Sequence, residues 1–138
     1  MNDFVTWQKT AQAHTEAVLQ QMLPETALAP QGLHEAMRYA ALDGGKRLRP
    51  MLVLAAAELG NRVQAACEAA LAAVECIHVY SLVHDDMPEM DNDTLRRGKP
   101  TCHVAYGAAT ALLVGDALQT LAFDALSRET TLPAARQL

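Results

Sequence analysis

The feature that most constrains this fold is a run from Ala65 to Met87 that contains no glycine or proline, is dense in Ala, Leu, Val and Ile, and halts at Pro88 beside a cluster of aspartates. Such a run reads as a long, mostly buried helix. The residue before a proline is pushed away from helical dihedrals, so the helix is expected to end near Met87 and to leave Asp91 in the loop beyond. On an unbroken helix, residues six apart point to different sides; a break at Pro88 lets the loop fold back and bring Asp91 toward Asp85. At 138 residues, 51% hydrophobic and 20% charged, the chain is one domain (1–138) with one core, and global disorder is excluded.

Asp85, Asp86, Asp91 and Asp93 crowd the end of that helix, where the C-terminal dipole already favours cations. Carboxylates converging there make a hard oxygen site suited to Mg²⁺. Magnesium keeps waters and shares its ligands with phosphates, so Arg96, Arg97 and Lys99 nearby point to a metal-bridged diphosphate. An EF-hand is excluded. Started at Asp85 or Asp91, the loop would carry Met90 or Arg96 where Gly is needed and Arg96 or Cys102 where Glu is needed. From spacing alone, a merely solvated charged loop stays open as the alternative.

The segment from about Asp3 to Leu23 sets Trp7, Ala11, Val18 and Met22 on one helical stripe, an amphipathic helix. Pro24 and Pro30-Gln31-Gly32 bracket a connector, and a second helix restarts with Leu33, Met37 and Ala40 inward. His14 and His34 are expected at the surface and given no role. In Asp43-Gly44-Gly45-Lys46-Arg47-Leu48-Arg49-Pro50 the glycines allow a tight turn and Pro50 suits the first turn of the next helix, placed at Met51 to Leu59. A helix N-terminus with basic residues beside it is an anion site, though the Walker pattern is absent. Gly60-Asn61 ends that helix.

His78 lies seven residues before Asp85, two turns back on nearly the same face and roughly 10 Å away along the axis. A core histidine and a ligand contact are both open readings for it; His84 is given no role. Residues 105–126 form another helical stretch in which Gly107 and Gly115 are expected to allow close helix approach. Asp116 there is expected to be buried and hydrogen-bonded, or to support the site from behind. Thr130-Thr131-Leu132-Pro133 reads as a connector into a further helix that reaches Leu138. No β-strand pattern is present, so the expectation is an all-α bundle of antiparallel helices.

A net charge of −5 argues against nucleic acid, which needs a basic face. Cys67, Cys76 and Cys102 are odd in number and have no metal-ligand spacing, which fits a reducing compartment. No signal pattern opens the chain, and the apolar runs carry Glu68, Glu75 and Asp116, so no membrane span and a soluble, cytoplasmic protein are expected.

Three separated motifs, Gly44-Gly45-Lys46-Arg47-Leu48-Arg49-Pro50, Asp85-Asp86-Met87-Pro88-Glu89-Met90-Asp91 with Arg96-Arg97-Gly98, and Gly115-Asp116-Ala117-Leu118-Gln119, resemble in order and spacing the trans-isoprenyl diphosphate synthases. The Pro88-containing form of the acidic motif is similar to that of the bacterial farnesyl diphosphate synthases. The resemblance implies the isoprenoid synthase type of helix bundle and a prenyltransferase that joins isopentenyl diphosphate to an allylic diphosphate, dimethylallyl or geranyl, giving farnesyl diphosphate. It further implies that Lys46, Arg49, His78 and Arg97 grip the diphosphate of isopentenyl diphosphate. Asp85 and Asp91 would be Mg²⁺ ligands, Asp86 would support them, and Arg96 would contact the allylic diphosphate.

Members of that family are about twice this length and carry a second aspartate-rich motif in their later half. The chain is therefore expected to be an N-terminal half, inactive by itself, from a protein that is a homodimer at full length. A geranylgeranyl or other chain-length synthase, and a non-catalytic helical relative with a binding or regulatory role, are the alternatives. The growing prenyl tail must run beside the helix that carries Asp85. Ser81 lies one turn back and the bulky Tyr80 on the flank, which makes Tyr80 the expected floor of the chain-length pocket; a packed core tyrosine is the competing reading.

Overall fold

The structure is a computed structural model that describes residues 2–42, 44–60 and 64–131. Asp43, Asn61 and the expected final connector and helix from Leu132 onward lie outside the described residues. The elements are α1 (Asn2–Met22), α2 (Gln31–Ala41), α3 (Leu48–Glu58), α4 (Gln64–Asp85), a short hairpin of β1 (Leu95–Arg96) and β2 (Lys99–Pro100), α5 (Cys102–Tyr106) and α6 (Ala108–Ser127). The expected all-α bundle is what is found.

The core is built on α4, which packs most extensively against α6 and next against α3. Leu71, Ala72, Cys76, Val79 and Val83 of α4 meet Val114, Leu118 and Ala122 of α6, all buried. The expected stripe of α1 is confirmed by buried Ala11 and Val18, with Trp7 and Met22 partly covered. In α2 the fully covered residues are Ala36, Met37 and Ala41, while Leu33 and Ala40 are partly buried. Burial of about 25 cal/mol for each Å² of apolar surface makes these contacts, not helix propensity, the main stabilising contribution.

Helix α3 starts three residues before the expected Met51. Its first bonded amide is Met51 N–H, which donates to Arg47 C=O at 3.0 Å. Pro50 therefore occupies a position whose amide has no helical partner in any case. Helix α4 ends at Asp85, two residues early, but Asp86 N–H still donates to Leu82 C=O and Met87 N–H closes a tighter turn on His84 C=O before Pro88 intervenes.

Three expectations are corrected. A hairpin appears where no strand was expected, pairing Leu95 with Pro100 and Arg96 with Lys99. Two residues per strand are too few to leave an alternating pattern, and the hairpin is closed by Arg97 and Gly98, both at positive φ as a two-residue primed turn requires. Gly107 brings no helices together; at φ 87 it breaks the expected single stretch into α5 and α6. Finally, α4 and α6 are long and apolar enough to cross a membrane by length and composition, a test that buried core helices also pass. One or two carboxylates do not lower the average of such a helix enough to fail it. Half of the α4 window is buried within this chain, and its Glu75 is paired with Arg47.

Candidate active site

Three features meet along α4. The first is basic. Lys46, Arg49, His78 and Arg97, four residues from three separate segments, line one cavity of about 460 Å³ together with Arg47 and Glu75. The loop glycines have a role beyond turning the chain. A Cβ on Gly45 would stand 2.6 Å from three atoms of the Arg97 guanidinium, and one on Gly44 would stand 2.8 Å from its Nη1. Bare glycine backbone is thus what lets the Arg97 cation lie against the loop that carries Lys46. His78 is half-buried, and burial, followed by the fields of Arg49, Arg97 and Arg96, lowers its imidazole below the ordinary 6.5 against an opposing pull from Glu75.

Arg47 does not belong to the cluster of exposed cations that the sequence suggests. Its side chain is 1% exposed. It donates from Nε and Nη2 to Glu16 Oε1 at 2.8 and 2.5 Å, from Nη1 to Glu75 Oε1 at 2.6 Å, and from Nη2 to Ala41 C=O at 2.7 Å. Removing one partner from a buried ion pair costs about 3–5 kcal/mol, because the other charge is left without compensation. The signal that could have revealed the group is Glu75, a carboxylate in the middle of an apolar helix that must find a cation.

The second feature is acidic. Asp91 N–H donates to Asp85 C=O at 2.8 Å, and Asn92 N–H donates to Met87 C=O at 3.0 Å, so the loop after Pro88 does turn back onto the helix end. Asp91 is exposed and Asp85 half-exposed. Asp86 is buried and holds Arg96 by a two-point pair, Nε to Oδ2 at 2.8 Å and Nη2 to Oδ1 at 2.7 Å, which raises the arginine above its ordinary range. Among the described residues no group of three His, Cys, Asp or Glu converges on one metal position. Two carboxylates at a helix C-terminus are a donor set that fits Mg²⁺, an ion that takes its other ligands from water and phosphate.

The third feature is apolar: a cavity of about 560 Å³ between α3, α4 and α6, walled by Leu52, Ile77, Phe123 and Leu126 and bordered by Tyr80 and Ser81. Arg49 and His78 line this cavity and the basic one alike. Tyr80 also stands edge-on to the His84 ring, with centroids 5.6 Å apart, and Ser81 Oγ donates to His78 C=O at 2.8 Å.

Asp116 is not buried; its side chain is 62% exposed, with Oδ1 4.0 Å from His84 Nε2. His84, given no role from sequence, fills the space that Gly115 leaves, since a Cβ there would fall 2.0 Å from its Nε2, which also lies 3.0 Å from Leu112 C=O. The close approach expected of Gly115 is therefore to an imidazole ring. All three cysteines are buried. Burial, reinforced by Glu75 and Asp86 respectively, pushes Cys76 to about 12 and Cys102 to about 11, so neither supplies a thiolate at neutral pH.

A family model described as polyprenyl synthetase matches residues 30–138. The farnesyl diphosphate synthase of Escherichia coli (strain K12) is 61% identical over 93 residues, which are 67% of this chain and 31% of that protein. A chloroplastic geranylgeranyl pyrophosphate synthase of Capsicum annuum is 56% identical over 101 residues, 73% of this chain and 27% of that protein. Among solved structures, an FPP/GFPP synthase from Zymomonas mobilis superposes with a TM-score of 0.84 at 52% identity, covering 90% of this chain and 45% of the other. A geranyltransferase from Legionella pneumophila superposes with a TM-score of 0.87 at 44% identity, covering 94% and 46%. The chain spans about a third of the length of these curated relatives and just under half of the solved ones.

Proposed function

The chain belongs to the polyprenyl synthetase family, and from that premise we propose that it is the N-terminal part of a single helical domain that condenses isopentenyl diphosphate with an allylic diphosphate. The observation that carries this reading is the sharing of Arg49 and His78 between a basic and an apolar cavity. Two adjoining ligands, the diphosphate of one and the hydrocarbon tail of the other, fit that pairing, and a free phosphate or a purely apolar ligand alone does not.

Lys46, Arg49, His78 and Arg97 bind the diphosphate of isopentenyl diphosphate and hold its double bond toward the acidic end of α4. Arg96, oriented by Asp86, faces the allylic diphosphate and stabilises the charge that builds on it as the C–O bond breaks. Asp85 and Asp91 are the residues that would hold Mg²⁺, which would supply Lewis-acid neutralisation of the departing diphosphate. The double bond then closes the new C–C bond on the allylic carbon, and the proton lost goes to the released diphosphate. In this proposal the complete protein is a cytoplasmic homodimer, and the 138-residue chain alone holds an incomplete site.

For the product we propose the fifteen-carbon farnesyl diphosphate, because Tyr80 stands at the cavity between α4 and α6 where a longer tail would run. A geranylgeranyl product is the second reading, favoured by the similarity to the Capsicum annuum protein. The test is to supply the complete enzyme with Mg²⁺, isopentenyl diphosphate and geranyl diphosphate, follow released inorganic diphosphate and separate the products by chromatography. Absence of release in the presence of both substrates defeats the proposal. Replacing Tyr80 by alanine is expected to lengthen the product; a folded, active variant that still stops at fifteen carbons removes Tyr80 as the ruler.

A further inference from the structure

We propose that Arg47 is a positioning residue for the diphosphate pocket: clamped to Glu16 and Glu75, it fixes the loop that presents Lys46 and Arg49 and masks a carboxylate that would otherwise face the bound anion. The inference rests on the reading of the basic cavity as a diphosphate site. Its geometry stands without that reading.

The order Lys46-Arg47-Leu48-Arg49 sets three cations within four residues, and they separate only because the backbone reverses its hand at the middle one. Arg47 has φ 52 and ψ 37, a left-handed conformation uncommon for a residue with a Cβ. That conformation turns its side chain into the protein while Lys46 and Arg49 remain exposed at the cavity. Residues from three helices then hold it: Glu16 of α1, Ala41 at the end of α2 and Glu75 of α4. A second tie comes from Gln12, one turn from Glu16 on α1, whose Nε2 donates to Lys46 C=O at 3.1 Å. Among the described residues helix α1 lends no side chain to the cavity, yet it grips the loop at two consecutive residues.

Masking follows from the same contacts. Glu75 precedes His78 by three residues on α4 and lines the basic cavity. Left uncompensated, its carboxylate would repel a diphosphate. Arg47 Nη1 at 2.6 Å neutralises it, and the guanidinium is itself committed to Glu16, Glu75 and Ala41 C=O.

The test compares Arg47→Lys, which keeps the charge but loses the guanidinium fork, with the milder Gln12→Ala. In the complete enzyme, Arg47→Lys is expected to raise the KM for isopentenyl diphosphate about tenfold while kcat and the KM for geranyl diphosphate stay within about twofold, the signature of lost ground-state binding. Gln12→Ala is expected to give about a threefold rise in the same KM alone. Amide hydrogen exchange over residues 44–49 is expected to quicken in both, with the α6 amides unchanged. Masking is read in Arg47→Met, which leaves Glu75 without its cation: adding Glu75→Gln to it is expected to recover part of the lost affinity, and no recovery removes the masking role.

Unchanged KM and unchanged loop exchange in both variants, with only a lower melting temperature, would reduce Arg47 to a core ion pair and overturn the proposal. So would a collapse of kcat with both KM values moving together. If the loop exchange quickens but the parent enzyme binds no isopentenyl diphosphate, the failure lies with the proposed activity and the clamp stands.

Discussion

The basic loop and the acidic helix end are built alike and anchored differently. Each is a cluster of like charges in which one member is buried against opposite charge: Arg47 against Glu16 and Glu75, Asp86 against Arg96. The anchors of Arg47 come from α1, α2 and α4, up to 31 residues away in sequence. The anchor of Asp86, Arg96, lies only 10 residues along, on the small hairpin, and its side chain is 36% exposed. A group tied to three helices moves only if the bundle moves. A group tied to a short hairpin can re-orient by itself. The loop through Arg47 is thus fixed by the packing of three helices, while Asp86 is held by a contact to the hairpin that also carries Arg97 of the basic cavity.

The largest effect should come from the acidic end. Asp91→Ala in the complete enzyme is expected to lower kcat on the order of 10²–10³-fold, measured by diphosphate release, because one of the two carboxylates proposed to hold Mg²⁺ is lost, and with it the neutralisation of the departing diphosphate. Activity within a few-fold of the parent would show that the metal is not held there. Next comes stability. Arg47→Met should cost about 3–5 kcal/mol by denaturant titration, since Glu75 stays buried without its cation. Arg96→Met should cost about 1–3 kcal/mol, the penalty for Asp86 losing its partner beside solvent. Equal losses would erase the distinction between the two anchors.

Gly45→Ala probes the contact that joins the hairpin to the basic loop. Its φ of 82 makes a Cβ unfavourable by about 1–2 kcal/mol, whereas the clash with Arg97 is relieved by movement of a flexible side chain. The expected result is a modest loss of stability with a clear loss of isopentenyl diphosphate affinity, read by thermal melting and calorimetry. The smallest effect is a titration. With His78 held below 6.5 in the folded protein, an unfolded chain takes up its proton first as pH falls, so this contribution to stability is present above about 6.5 and is lost as pH falls toward the folded value. Bound diphosphate should move the imidazole the other way, upward, which NMR of the His78 ring protons can follow. An apo value above 6.5 would contradict the desolvated, arginine-flanked setting.

Much of this was legible before any fold was known, because it is written in local patterns. The length of α4 follows from a run without glycine or proline, the return of Asp91 follows from Pro88, and the anion-site reading of the loop follows from Gly44-Gly45 with basic residues before a helix. What the sequence could not settle depends on partners far along the chain. Nothing local separates Arg47 from Lys46 and Arg49; burial against Glu16 and Glu75 does. Nothing local seats His84 on Gly115, or leaves Asp116 exposed on a helix that reads as core. Periodicity records which face of a helix is apolar, and only packing decides what meets that face. The sequence by itself therefore determined the long helices, though not the break at Gly107 or the hairpin, and the charges each motif carries. Tertiary structure alone decided which of those charges are spent inside the protein and which are left for a ligand, because a buried charge persists only where the fold brings its counter-charge to it.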